Sequence, residues 1–263
     1  MTREQRGDAG SHAGRIRVGV GGWTFEPWRG LFYPDELPQK RELAYASRRL
    51  TSIEINGTFY RNQSPASFAK WRDAVPAGFV FTVKASRYCT NRKVLGEAGE
   101  SIAKFADQGI VELGDKLGPI LWQLAGTKKF DPDDMAAFLA LLPASRDGVP
   151  LRHAIEPRHE SFRDPAFFAL CRKAGVAVVF ADDETYPCFD EQTAGFTYAR
   201  LQRTRESEPE GYPAAELAQW AETAREWAAG GRDVYAFFIS GAKVRNPAAA
   251  QALIARLNHD ETV

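Results

Sequence analysis

Ser52-Ile53-Glu54-Ile55-Asn56-Gly57-Thr58-Phe59-Tyr60-Arg61 carries the plainest structural signal in the chain. Ile53 and Ile55 alternate with Ser52, Glu54 and Asn56, and residues two apart on a strand share a face. One face is apolar and the other bears a carboxylate and an amide. An unpaired buried charge is very costly, so a buried strand with this pattern implies partners for Glu54.

The same pattern recurs on either side. Strands are predicted at 16–20, 51–56, 79–84, 119–124, 151–156, 176–181, 196–200 and 234–239. Helices between them show apolar residues at helical spacing, for example Leu43, Ala46 and Leu50, or Phe68, Trp71 and Val75. Four helix starts repeat one signal: Ser64-Pro65, Asp131-Pro132, Asp164-Pro165 and Asn246-Pro247. Each pairs a capping side chain with a proline whose fixed φ suits the first turn. Gly175 is a predicted C-terminal stop. Eight strand–helix units result, the sixth helix being the least marked. Such alternation predicts parallel strands joined by crossovers. With 263 residues it predicts an α/β fold, a single-domain (β/α)8 TIM barrel over 16–258. An open doubly wound sheet should carry a Gly-rich dinucleotide fingerprint. Gly19-Val20-Gly21 lacks the third glycine, and no nucleotide cofactor is indicated.

Composition narrows the class. Basic and acidic residues balance at 34 each, so any electrostatic steering is local. Cys89, Cys171 and Cys188 are odd in number with no CxxC spacing, which supports neither a disulfide framework nor a cysteine zinc site. Residues 1–15 are polar and Gly-rich and read as a disordered lead-in without the apolar core of a signal peptide. No apolar run reaches the ~18 residues of a membrane helix. The expected location is cytoplasmic.

Active sites of such barrels lie at the C-terminal strand ends. Those ends are Gly21, Glu54 with Asn56, Lys84, Gln123, Glu156, Asp182, Arg200 and Ser240. A solvated barrel mouth explains any one polar end. Glu54, Lys84, Glu156 and Arg200 facing one lumen must instead form a charge network, structural or catalytic. In Glu156-Pro157-Arg158-His159, a carboxylate, a guanidinium and an imidazole fall within four residues. His159 serves there either as a general acid or base or as a hydrogen-bonding loop residue. Arg200, Arg203 and Arg205 follow the seventh strand and Lys243 and Arg245 the eighth, where many barrels bind phosphate. A solvated charged rim is the plainer alternative. Trp23, Trp28, Phe32, Tyr33, Phe59, Tyr60 and Tyr212 lie in mouth loops, to stack on a ligand ring or to pack the loops.

Six motifs in order carry a family resemblance: Gly19-Val20-Gly21-Gly22-Trp23, Phe32-Tyr33-Pro34, Glu54 through Tyr60, Phe81-Thr82-Val83-Lys84, Lys116-Leu117-Gly118-Pro119 and Glu156 through Ser161. From about 16 to 257 the chain resembles the YecE-like domain-of-unknown-function family. The resemblance implies a TIM barrel and no established reaction. By fold-level analogy these barrels are similar to phosphodiester-processing and sugar-isomerising barrels. Two positions depart from the family pattern. Pro157 stands where a small aliphatic residue is usual, and Ser240 where Asn is frequent.

These readings predict a hydrolase or lyase acting on an anionic, phosphate-bearing substrate. Glu54 or Glu156 is the expected general base, with the other orienting it or holding a metal, and His159 is the acid candidate. Lys84, Arg158 and Arg200 would neutralise the anion. Asn56 and Gln123 would position substrate, with Trp23, Tyr60, Asp182, Tyr212, Ser240 and Lys243 completing the binding set. A magnesium or manganese ion held by Glu54, Glu156 or Asp182 is compatible with the pattern. The alternative is a non-catalytic binder of nucleotide or single-stranded nucleic acid. A purely structural or partner-docking barrel is the third reading, and no obligate protein partner is indicated.

Overall fold

Side chains along each strand point alternately into and out of one closed cylinder, and this sets where every functional group lies. The structure, a computed structural model, describes residues 14–259. The first five strands of the barrel are Ile16–Gly21, Ser52–Ile55, Val80–Lys84, Leu117–Gln123 and His153–Glu156, a separate short hairpin of Ser145–Arg146 and Val149–Pro150 preceding the fifth. The seventh and eighth are Phe196–Leu201 and Asp233–Phe238. Every pairing among them is parallel, and the first strand pairs with both the second and the eighth.

The sixth strand, predicted as one run over 176–181, is broken. Ala177–Val178 pairs with the fifth strand, and Phe180–Asp182 pairs with the seventh. Val179 lies between them and its amide donates to the Ile155 carbonyl at 2.9 Å. The barrel closes through this two-part strand. The sixth crossover, residues 183–195, contains no α-helix among the described residues, which corrects the predicted sixth helix and with it the count of eight.

Two apolar layers follow from the alternation. Inside the cylinder lie Val80, Leu121, Ala154, Val179, Phe196, Tyr198, Tyr235 and Phe237. Outside, Val20, Ile53, Val83, Trp122 and Ile155 meet the helices. Trp122 packs edge-on against Phe105 and Phe138 with centroids 5.7 and 5.8 Å away. Each such buried aromatic contributes about 1.5–3 kcal/mol through lost water contact.

Three of the four proline-marked caps form as the residue types dictate. Ser64 accepts from the Ser67 amide, Asp131 from Asp134 and Asp164 from Ala166. Gly175 ends its helix at φ 65°, a conformation that costs glycine nothing. Asn246 is the exception. It is the first residue of the helix Asn246–His259, and its amide links two mouth loops. Its Oδ1 accepts from Thr204 at 2.8 Å and its Nδ2 donates to the Ser240 carbonyl at 3.3 Å.

The lead-in predicted over 1–15 lies outside the described residues up to position 13. Gly14 and Arg15 are tied to the barrel base, Gly14 to the Ala228 carbonyl and Arg15 to Asp233. Among the described residues no helix is long and apolar enough to cross a membrane.

Candidate functional site

The polar positions of the second, fifth and seventh strands meet across the lumen. Glu54, Glu156 and Arg200 are each at most 2% exposed. Arg200 Nη1 donates to Glu156 Oε2 at 2.7 Å, while its Nε and Nη2 reach Glu54 Oε2 and Oε1 at 3.2 Å each. Tyr198, two residues before Arg200 on the same face, donates its hydroxyl to Glu54 Oε2 at 2.6 Å. Tyr198 lies outside the predicted site residues. Its parity with Arg200 was the available signal. Burial and the Glu54 charge hold the Tyr198 phenol well above its ordinary range, so it remains a donor.

Glu156 accepts from three groups: Arg200, Gln123 Nε2 at 2.9 Å and Arg158 Nε at 2.8 Å. Burial alone would raise its carboxyl, but Arg200 and Arg158 override that and bring it down to about 2. All four carboxylate oxygens of Glu54 and Glu156 are thus occupied by donors. One guanidinium between two carboxylates leaves a single net negative charge, which Arg158 and Lys84 face from above.

Lys84 ends the third strand on the inward face. Its Nζ donates to Gln123 Oε1 at 2.8 Å and lies 4.2 Å from the centre of the Phe59 ring. The turn carrying Phe59 is fixed by the Thr58 hydroxyl, which donates to the Lys84 carbonyl at 2.7 Å. Desolvation by burial, reinforced by the Arg200 charge, lowers the Lys84 ammonium to about 8. Among the described residues it makes no ion pair.

Above this layer opens a cavity of about 680 Å³. Of the predicted site residues it is lined by Trp23, Asn56, Tyr60, Lys84, Gln123, Arg158, Arg200, Ser240 and Lys243. Arg61 and Trp71, absent from the predicted set, line it as well. The wall therefore presents five cationic side chains, Arg61, Lys84, Arg158, Arg200 and Lys243, and no carboxylate. Gly21 makes room for Asn56, since a Cβ there would lie 2.6 Å from Asn56 Nδ2. Tyr186 lies against Arg158, with the guanidinium 4.4 Å from the ring centre.

Five predicted residues do not reach the cavity wall. Glu54 and Glu156 lie beneath it, enclosed by their donors. His159 Nδ1 accepts from the Ser161 amide at 3.1 Å and caps the short 3-10 turn Glu160–Phe162, which is the loop-residue alternative of the sequence reading. Asp182 falls one residue past the inward position held by Ala181, and it pairs with Arg203 at 3.4 Å. Tyr212 is 2% exposed and packs on Phe238, its hydroxyl accepting from the Arg203 amide at 3.0 Å. Of the predicted phosphate-binding arginines, Arg203 is turned to Asp182 and Arg205 to Glu216 at 2.9 Å. Trp28, Phe32 and Tyr33 are buried and pack their loop, and Trp28 Nε1 donates to the Lys243 carbonyl.

The residues do not fit a divalent cation. The oxygens of Glu54 and Glu156 accept from cations and neutral donors, and Asp182 is apart. Among the described residues no cluster of three or more His, Cys, Asp or Glu side chains is placed to hold a metal.

Comparison with known proteins agrees with this architecture. A structure of a DUF72 family protein from Thermotoga maritima MSB8 matches at 25% identity and TM-score 0.72, over 95% of this chain and 100% of that one. One from Enterococcus faecalis V583 matches at 19% identity and TM-score 0.70, over 96% and 99%. SacUVDE matches at 10% identity and TM-score 0.57, over 95% and 100%. The last two likenesses concern the fold alone. No curated protein matches in sequence. The family model described as "Protein of unknown function DUF72" matches residues 17–263, and the chain belongs to that family.

Proposed function

We propose that the cavity binds an anionic, phosphate-bearing small molecule and acts on it as a hydrolase or lyase. The observation that supports this is the composition of the wall: five cationic side chains with no carboxylate among them. A focused positive field in a concave, low-dielectric site attracts and orients an anion. Arg158 and Lys243 approach from separate loops, and Arg200 forms part of the floor.

In this reading Glu54 and Glu156 are positioning residues. They fix the Arg200 plane and balance its charge, and neither oxygen pair is free to accept a substrate proton. Lys84 is the group suited to proton transfer, because an ammonium lowered to about 8 exchanges a proton near neutrality. The test is binding and turnover of phosphomonoesters, phosphodiesters and phosphorylated hydroxycarbonyl compounds by the wild type and by Lys84→Met. The reading predicts turnover of at least one class, reduced by about 10²-fold or more in the variant. Failure of every phosphorylated compound to bind would contradict it.

A binding-only role is favoured by one observation. Tyr60, 65% exposed, stands at the cavity edge beside Arg61, as a stacking platform for a nucleobase would. Affinity for oligonucleotides that falls steeply with salt, with no turnover, would support that role over the enzymatic one.

A further inference from the structure

We infer that Lys84 forms an imine with the carbonyl carbon of a phosphorylated aldehyde or ketone bound in the cavity. The inference rests on the anion-binding reading above and selects its lyase branch, since an imine assists cleavage or elimination beside a carbonyl but has no part in phosphate ester hydrolysis.

Position and partners support it. Lys84 ends a barrel strand, lines the cavity and is 9% exposed. The two arginines around it are paired with carboxylates, Arg200 with two and Arg158 with one, through its Nε. Among the described residues Lys84 makes no ion pair; its Nζ meets a neutral amide oxygen, Gln123 Oε1, and the face of Phe59, with Glu54 and Glu156 acting on it from beyond contact distance. Gln123 is itself fixed, because its Nε2 donates to Glu156. Its carbonyl oxygen therefore orients the lysine without stabilising the ammonium as a carboxylate would. The Arg158 and Lys243 side chains share the same wall and supply cationic partners for a phosphate on the same molecule.

The step balances without an oxidant or reductant. The neutral amine lone pair attacks the carbonyl carbon, forming a C–N bond as the carbonyl oxygen takes up a proton. The resulting carbinolamine nitrogen loses a proton, and the hydroxyl leaves as water after protonation. Amine and carbonyl thus give imine and one water, with protons exchanged through cavity solvent. With an ammonium lowered to about 8, roughly a quarter of Lys84 is neutral near pH 7.5, against about a thousandth for an ordinary lysine.

The experiment treats the full chain with glycolaldehyde phosphate and, separately, with glycolaldehyde, each with sodium cyanoborohydride, and maps reduced adducts by peptide mass spectrometry. The inference predicts that Lys84 carries most of the phosphorylated label, little of the unphosphorylated one, and loses it when inorganic phosphate is added. Lys84→Arg, which keeps the charge, should abolish that adduct. If labelling is spread over surface lysines while inorganic phosphate still raises the melting temperature, the imine is refuted and the anion site stands. If phosphate neither stabilises the protein nor protects any lysine, both readings fall.

Discussion

Arg200 Nη1 donates to Glu156 Oε2 at 2.7 Å, and both residues are almost wholly removed from solvent. The pair, completed by Glu54, lies in the barrel lumen, which also holds an apolar cluster including Val80, Leu121, Ala154 and Phe237. Removing one partner of a buried pair strands the other's charge, and here a single guanidinium serves two carboxylates. Arg200→Met is expected to cost about 3–5 kcal/mol in urea unfolding. Replacing Glu54 and Glu156 by Gln in the same chain should recover part of that loss. A cost under about 1 kcal/mol for Arg200→Met would show that the network contributes little to stability.

Glu156 links stability to pH with a definite sign. Its carboxyl lies at about 2 in the folded protein against 4.5 in the unfolded chain. A depressed carboxyl contributes stability that is fully present above about 4.5 and is lost as pH falls through about 2. The shift corresponds to about 3 kcal/mol over that window. Unfolding free energies at a series of pH values between 5 and 2.5 should fall with a shallower slope in Glu156→Gln than in the wild type.

Ser240 holds a left-handed backbone, φ 62°, at the end of the eighth strand. A side chain there costs about 1–2 kcal/mol, which Gly avoids and Asn partly offsets. Ser240→Gly or Ser240→Asn should raise the melting temperature. Gly241→Ala should do the opposite. Its φ is +52°, and a Cβ would meet Thr204 Oγ1 at 2.7 Å and the Gln202 carbonyl oxygen at 2.8 Å. Thermal melts of the three variants check both directions.

Neighbouring residues should separate structure from binding. His159→Ala removes a cap on the Ser161 amide and is expected to cost about 1 kcal/mol of stability with ligand affinity unchanged. Loss of turnover in His159→Ala at full stability, with anion binding retained, would give His159 the acid role instead.

Much of this arrangement was legible in the chain because a strand's parity is strict. Glu54, Lys84, Glu156 and Arg200 each lie an even number of residues from an inward apolar or small position, and all four point inward. The same rule, applied at Val179 and Ala181, would have excluded Asp182. Parity gives direction and not depth, so it could not show that Glu54 and Glu156 lie under the cavity while Lys84 and Gln123 line it. Side-chain length and the crossing of Arg200 decide that. Ser64, Asp131 and Asp164 met local caps that the sequence marks, whereas Asn246 was recruited by Thr204, which lies 42 residues earlier. The break at Val179 has no local signature, because it reflects how two neighbouring strands divide one strand between them.

Calorimetric titration of inorganic phosphate into the wild type and into Arg158→Gln is the most direct test of the cationic cavity. Binding to the wild type that weakens with added salt, and that drops about tenfold or more in the variant, is the predicted result. Absence of binding, or equal affinity in the two proteins, would contradict the proposed role of the cavity.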